Sequence, residues 1–488
     1  MMDSVRRTLT KLTLKPSSEC ERHRHPSLSN DNWIDFRDCD TENPLNWPLA
    51  RKRYISAIAV FITLNGCFAS SITTGATESI TQEFGVSRVA AGLTTSLFLL
   101  GFCAGPLIFG PLSEFYGRRW MLYTTLFLYL AFTFLTAWPP NFGALLVGRF
   151  LAGSTAAGPA TIVGGILVDL WDKCACGNAM GVFIWAAWVG PALGTVISGA
   201  VELKKDWHWG MYVCLWFAAF SCLVVFTIPE THRNTILCYK AKTARKEGHD
   251  VQSEQEATKP NLTQLYKIAL IRPWGLLLDV IAFLCCIYSC VIAALQYMLF
   301  SIYPIVFHDK RGWNAAVSQL PIFGQVIGAL FALLIVFANS RRRKRKVACG
   351  GEIPPEDHMI LAMIGGVGFP ISMLWLSWSA QYNSVHWIVP TIGGTVLSTC
   401  LMLIHVSCFS YIIDTYADYA ASAAAVIIVA RSSSAAAAPL FTAQMFDALG
   451  VGGGGSLIAS VAALLSATPF FFYRYGHRIR EKSKYATS

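Results

Sequence analysis

Apolar residues in this chain gather into long runs separated by short polar breaks. The runs fall at about 54–76, 89–111, 120–138, 142–170, 178–201 and 208–229. After a polar stretch they resume at about 274–305, 315–338, 358–379, 385–413, 419–446 and 456–473. Each is close to the ~20 residues that carry a helix across a ~30 Å hydrocarbon core. The pattern predicts an all-α membrane protein with twelve transmembrane helices in two six-helix halves. Its boundaries are an N-terminal segment 1–53, a first half 54–229, a linker 230–272, a second half 273–473 and a tail 474–488.

Composition supports this reading, with 54% hydrophobic and only 14% charged residues, against ~25% charged in soluble proteins. The net charge of +10 is not a nucleic-acid footprint, because the basic residues lie between the apolar runs. Ten Lys/Arg precede the first run, eight occupy the linker, six fill 341–346 and five the tail. The opposite side has Arg88, Lys204, Lys205, Lys310 and Arg311. This asymmetry predicts that both termini are cytoplasmic. No cleavable signal precedes the first run, so the first span is expected to direct its own insertion.

The fifteen cysteines stand mostly singly inside apolar runs and read as packing residues. The linker stretch Lys240–Pro260 reads as flexible. Asn261-Leu-Thr263 matches a glycosylation acceptor on the side expected to stay unmodified. Trp33 and Trp47, ahead of Arg51-Lys52-Arg53, suit interfacial anchors.

Three motifs carry the functional argument. Gly110-Pro-Leu-Ser-Glu114-Phe-Tyr-Gly117-Arg118-Arg119 reads as a hairpin between spans two and three, its acid placed to meet a helix N-terminus. Arg149-Phe-Leu-Ala-Gly153 lies in span four. Span five carries Gly177, Gly190-Pro191 and Gly194, of which Gly190, Pro191 and Gly194 would thin and bend a helix that packs closely. Together these resemble the major facilitator superfamily: its G-x-x-x-[DE]-x-x-G-[RK]-[RK] loop, its R-x-x-x-G motif and its antiporter signature. Ala186 and Thr195 replace two glycines of that signature. Pro229-Glu230-Thr231-His232 after span six, Arg272-Pro273-Trp274 at span seven and Tyr411-Ile-Ile-Asp414 closing span ten narrow the likeness. They resemble the fungal twelve-span drug:H⁺ antiporters, which include multidrug and polyamine exporters. Gly452–Gly455 departs from that family's usual loop between the last two spans.

The resemblance implies proton-coupled efflux of drugs, toxins or secondary metabolites by alternating access. It implies a cell-membrane monomer with no cofactor, driven by the proton gradient. Its partners would be a small-molecule substrate, protons and the lipid bilayer, with no nucleic acid. Uptake of a nutrient or polyamine by symport or uniport is the alternative, and the span-five feature argues against it. A membrane enzyme should show clustered ligands or a nucleophile with its base, and neither is found. No Walker-type sequence points to ATP.

An ionisable residue inside a span is a functional candidate by default. Asp279, read as two turns into span seven, is the expected proton-coupling carboxyl, with Arg149 and His405 as further candidates. Asp169 is expected to join Glu114, Arg118 and Arg119 in a cytoplasmic gate. Arg431 is expected nearer the cytoplasm, with Asp414 and Asp418. Gly110, Gly117, Gly190, Pro191 and Gly194 complete the conformational set. Asn65, Trp185, Trp188, Gln296 and Tyr297 are the expected cavity lining, suited to amphipathic or cationic substrates.

Overall fold

The computed structural model describes residues 27–28, 34–36, 40–247, 251–253, 262–314, 316–349, 354–416, 419–483 and 485. Trp33, Asn261 and Asp418 lie outside them. The first six spans are Leu49–Ser71, Arg88–Tyr116, Arg118–Ala137, Phe142–Leu170, Lys173–Glu202 and His208–Val225. Spans seven to ten are Val280–Pro304, Phe323–Ala348, Met359–Gln381 and Ile388–Thr415.

The last two spans are continuous in hydrogen bonding. Helix Ala420–Leu465 has 46 residues, about 69 Å at 1.5 Å per residue, far longer than one crossing. Gly450 divides it, with φ 70° and ψ 167° inside an otherwise helical segment. That conformation is essentially reserved for glycine. Twelve crossings result. The glycines at 452–455 are not a loop: they open span twelve and let it lie against its neighbours. A Cβ at Gly455 would collide with Ser377 of span nine, and one at Gly454 would come within 2.9 Å of Phe446.

Two apolar cores organise the bundle. Phe68, Phe98, Leu122, Tyr129 and Met211 sit in the first half's core. The second half's core takes in Ile184, Trp188, Val189, Ala192 and Val196 of span five, besides its own spans. Span five packs on span one and span eight, and span two packs on span eleven, so these spans form the seam between halves.

Three boundaries differ from the sequence reading. Span two continues helical through Tyr116, so the expected hairpin shrinks to Gly117 alone, at φ 94°. Arg272-Pro273-Trp274 lies in a separate helix, Leu262–Leu277, and span seven begins only at Val280. The basic run 341–346 is the helical extension of span eight rather than a loop.

The linker stretch read as flexible opens in a helix as far as Lys246, and its residues 248–250 and 254–260 lie outside the described residues. Helix Arg233–Lys246 docks on the N-terminal segment. Arg233 meets Asp35 at 2.7 Å, and Lys240 pairs with Asp40 and with Glu42. Ile34, Leu237 and Ala241 close a small apolar contact beneath these pairs. Trp47 packs into the first-half core, with the Arg51 guanidinium 3.9 Å from its ring centroid.

Gly450→Ala should destabilise the protein by about 1–3 kcal/mol, because the added Cβ disfavours this backbone conformation. Gly452→Ala, whose Cβ would meet Trp378 at an ordinary 3.5 Å, should be near neutral. Unfolding midpoints of the two variants in detergent compare them directly.

Candidate functional site

Spans one, two, four and five of the first half and seven, ten and eleven of the second enclose a cavity at the seam. Its wall includes Cys67, Ser70, Phe102, Phe183 and Ala187 on one side and Tyr297, His405, Phe409, Ile428 and Arg431 on the other. The cavity measures about 80 Å³, whereas drug-sized ligands occupy roughly 300–1,000 Å³. This conformation is contracted around its centre, and admitting a ligand requires the halves to part. A roomier groove of about 710 Å³ lies between spans eight and ten. It is a lateral surface feature without a charged residue, lined by exposed Ile327, Phe331 and Ile392.

Among the described residues, one hydrogen bond crosses the cavity. The Ser70 hydroxyl pairs with the Tyr297 phenol at 2.8 Å, joining span one to span seven. The Ser70 carbonyl accepts from Arg149 Nη2 at 3.2 Å, and the Thr94 carbonyl accepts from its Nε at 3.0 Å. Arg149 is 2% exposed, and its guanidinium lies over the Phe98 ring at 4.4 Å. Backbone carbonyls and an aromatic face stand in for the carboxylate that a buried guanidinium lacks here.

Of the five residues expected to line the cavity, only Tyr297 does so. Asn65 turns into the first half instead, donating to Ser221 at 2.9 Å. Trp188 donates to Ser398 of span ten at 3.2 Å, and Gln296 donates to the Trp188 carbonyl at 3.3 Å. These bonds fasten span five to the second half. Trp185 packs at the edge of the second-half core. The amides that suggested a cationic substrate are therefore absent from the wall.

Arg431 moves the other way. Expected near the cytoplasmic loop with Asp414, it lines the central cavity with His405. Asp414 is at the end of span ten, 2.8 Å from His358 and 3.9 Å from Arg343. Asp279 is not within span seven but caps it. Its carboxylate accepts from the Ile281 N–H at 3.1 Å and from the Ser483 hydroxyl of the tail. A helix break between Leu277 and Val280, invisible to hydropathy, puts it at the helix end.

Span five leans on span one through its small residues. A Cβ at Gly190 would meet Cys67 at 2.8 Å, and one at Gly194 would meet the Ser71 hydroxyl at 2.5 Å. Pro191 cannot donate to the carbonyl of Ala187, a cavity residue. Its own carbonyl accepts from Ser71 at 2.5 Å and from Thr195 at 3.0 Å. Ala186 and Thr195 are both fully buried, so small side chains keep the close approach that glycine would give.

On the face that carries the termini, Gly117 turns the chain between spans two and three. The anion at the N-terminus of span three is not Glu114 but Glu230, which follows span six. Its carboxylate accepts from the backbone N–H groups of Arg118 (3.0 Å) and Arg119 (3.2 Å), and from those of Thr231 and His232. A Cβ at Gly117 would also strike this carboxylate, at 2.6 Å. Arg118 reaches Asp169 at 3.5 Å and donates to Ser113 at 2.9 Å. Gly165 makes room for its guanidinium, where a Cβ would lie 2.5 Å from Cζ. Arg119 instead lies along Tyr123, 2.8 Å from its hydroxyl. Glu114 makes no ion pair among the described residues, and Gly110 has only Thr161 nearby. Sequence reading missed Glu230 and Gly165. The Pro-Glu-Thr-His motif was the one available signal for Glu230.

The description Major Facilitator Superfamily matches residues 58–439 of the chain. The MFS-type transporter oryN of Aspergillus oryzae is 34% identical over 474 residues, covering 96% of this chain and 92% of that protein. The efflux pump FUBT of Fusarium oxysporum is 36% identical, covering 93% and 77%. This chain belongs to the major facilitator superfamily. It is a multi-pass membrane transporter, not an enzyme. Among solved structures, the proton:xylose symporter XylE superposes with a TM-score of 0.64 at 15% identity, covering 88% of this chain and 96% of that one. That likeness shows the fold.

In this major facilitator chain the second half carries its own charged cluster on the terminus-bearing face. Asp357, 7% exposed, meets Arg342 at 2.9 Å, Lys346 at 3.1 Å and Arg343 at 3.8 Å. Glu356 pairs with Arg480 of the tail at 2.9 Å. Among the described residues, the side-chain partners of Arg118 lie in the first half and those of Asp357 in the second. Each cluster ties its own half together.

Glu230→Gln weakens four charge-assisted bonds at once and should cost about 1–2 kcal/mol, read as a lowered thermal midpoint. An unchanged midpoint would show that these N–H groups find other acceptors. Burial and the Arg118 charge push His232 down from its ordinary 6.5 to about 4. The unfolded chain binds this proton first as pH falls, so stability should decline between about pH 6.5 and 4 and level off below. His232→Gln should flatten that part of the stability–pH profile, checked by urea midpoints at half-unit pH steps.

Proposed function

We propose that this transporter exports small organic molecules from the cell in exchange for protons. Drugs, toxins and secondary metabolites are the substrate class, and the protein sits in the cell membrane with both termini cytoplasmic. The observation that carries the reading is span five. Gly190, Pro191 and Gly194 press it onto span one beside the cavity, the arrangement of the antiporter signature, while Trp188 bonds it to the second half. Relatives named as efflux pumps support the direction of transport. Alternating access then amounts to the two halves rocking about the cavity. The Ser70–Tyr297 bond breaks on opening, while the charged clusters hold each half rigid.

Proton coupling falls to a group that is in the cavity. Asp279 is at a helix cap, and Arg149 is satisfied by carbonyls. His405 lines the cavity and lies between the rings of Trp188 and Phe409, at 6.0 and 6.2 Å. Imidazole is the side chain whose ordinary titration lies nearest neutrality. One proton moving inward gains ~2.3 kcal/mol per 100 mV and ~1.36 kcal/mol per pH unit. Those two terms together sustain on the order of a few-hundred-fold gradient of a neutral substrate.

Compound accumulation in cells lacking their own pumps tests the reading. Cells expressing this chain should accumulate less of at least one compound, and a protonophore should abolish the difference. Raised accumulation would mean uptake. His405→Gln should lower proton-dependent export at least tenfold with normal surface expression. An unchanged pH dependence would remove His405 from the coupling step.

A further inference from the structure

The wall of the central cavity contains an arginine and no acid. The Arg431 guanidinium makes no ion pair or hydrogen bond to any described residue, its backbone carbonyl alone accepting from the Ser434 hydroxyl, and none of the residues lining the cavity is Asp or Glu. The described acids all stand at or beyond helix ends: Glu114, Asp169, Asp172, Glu202, Asp279, Asp414 and Asp447 are those on or capping the spans. A second cation, Arg149, lies just behind the wall, one residue away through the Ser70 carbonyl. A guanidinium in a low-dielectric site that lacks a protein counter-ion attracts an anion from outside.

We infer that the central cavity is built for organic anions, specifically a carboxylate carried on an apolar, ring-sized body. Arg431 is the anchor for the carboxylate, since its planar fork matches two carboxylate oxygens. Tyr297 and Ser70, beside it in the wall, supply hydroxyl donors. Phe102, Phe183 and Phe409 accept the apolar body. This inference rests on the central cavity being the substrate site and deepens the export reading in one respect. An anion leaving a negatively polarised cell moves with the electrical gradient, so proton entry and substrate exit draw on the membrane potential in the same sense.

The test uses equilibrium binding to the full-length protein in lipid nanodiscs at pH 7.4, with no gradient present. The probes are 2-naphthoate, 2-naphthamide and 2-naphthylmethylamine, which share one apolar body and differ in charge. Naphthoate should bind at least tenfold more tightly than the amide, and the amine should bind most weakly. Arg431→Gln should weaken naphthoate about 30-fold or more, the range for unpairing a buried charge, and leave the amide unchanged. Retained amide binding shows that this variant is folded. Arg431→Lys should recover part of the preference. Amide or amine binding as tight as naphthoate, no naphthoate binding at millimolar concentration, or an undiminished preference in Arg431→Gln would each overturn the inference. Because no gradient is used, failure of proton-driven export leaves this result standing, and the converse also holds.

Discussion

A charge or an unpaired backbone group inside hydrocarbon costs several kcal/mol, and the placement of ionisable residues in this chain follows from that cost. Carboxylates collect at helix ends, where water, arginines or backbone N–H groups meet them. Glu230 is the fullest instance, with the N-terminus of span three and the turn after span six both resting on one carboxylate. Two arginines remain within the bundle and are handled differently. Arg149 is enclosed by carbonyls and the Phe98 ring. Arg431 faces the central cavity, where a ligand can supply what the protein does not.

The same cost explains the division of labour among the small residues. Helices in lipid gain little from burying apolar surface, so close backbone approach and local hydrogen bonds must hold them. Span five reaches span one through Gly190 and Gly194, and span four gives way to Arg118 at Gly165. Span twelve reaches span nine through Gly455. Each contact is possible only where a side chain is missing. The rigid halves that result meet at a seam crossed by few polar bonds, among them Ser70–Tyr297 and Trp188–Ser398. Few bonds need to be exchanged when the halves rock.

What could be read from the chain depends on how local the physics is. Run length, composition and the Lys/Arg asymmetry are one-dimensional quantities, and they led to the helical class, the twelve crossings and the two-halves plan. The motifs pointed to the family because each is a short string whose residues act together on one helix or turn. Gly117 and the span-five glycines sit where such strings place them. Glu230 escaped as the cap of span three because the two N–H groups it meets there lie more than a hundred positions away.

The sequence by itself determined that this chain crosses a bilayer many times as helix, and singled out Gly117, Gly190 and Gly194 among its conformational glycines. Both follow from hydropathy and from backbone sterics at single positions. Tertiary structure alone decided which face of each helix meets the cavity. It turned Asn65 and Gln296 into internal fasteners, put Asp279 at a cap and brought Arg431 to the centre. Rotating a helix by one residue moves a side chain about 100° around its axis, and nothing in a nearly uniform apolar run fixes that rotation. Packing against other spans fixes it, and with it the charge that the cavity presents.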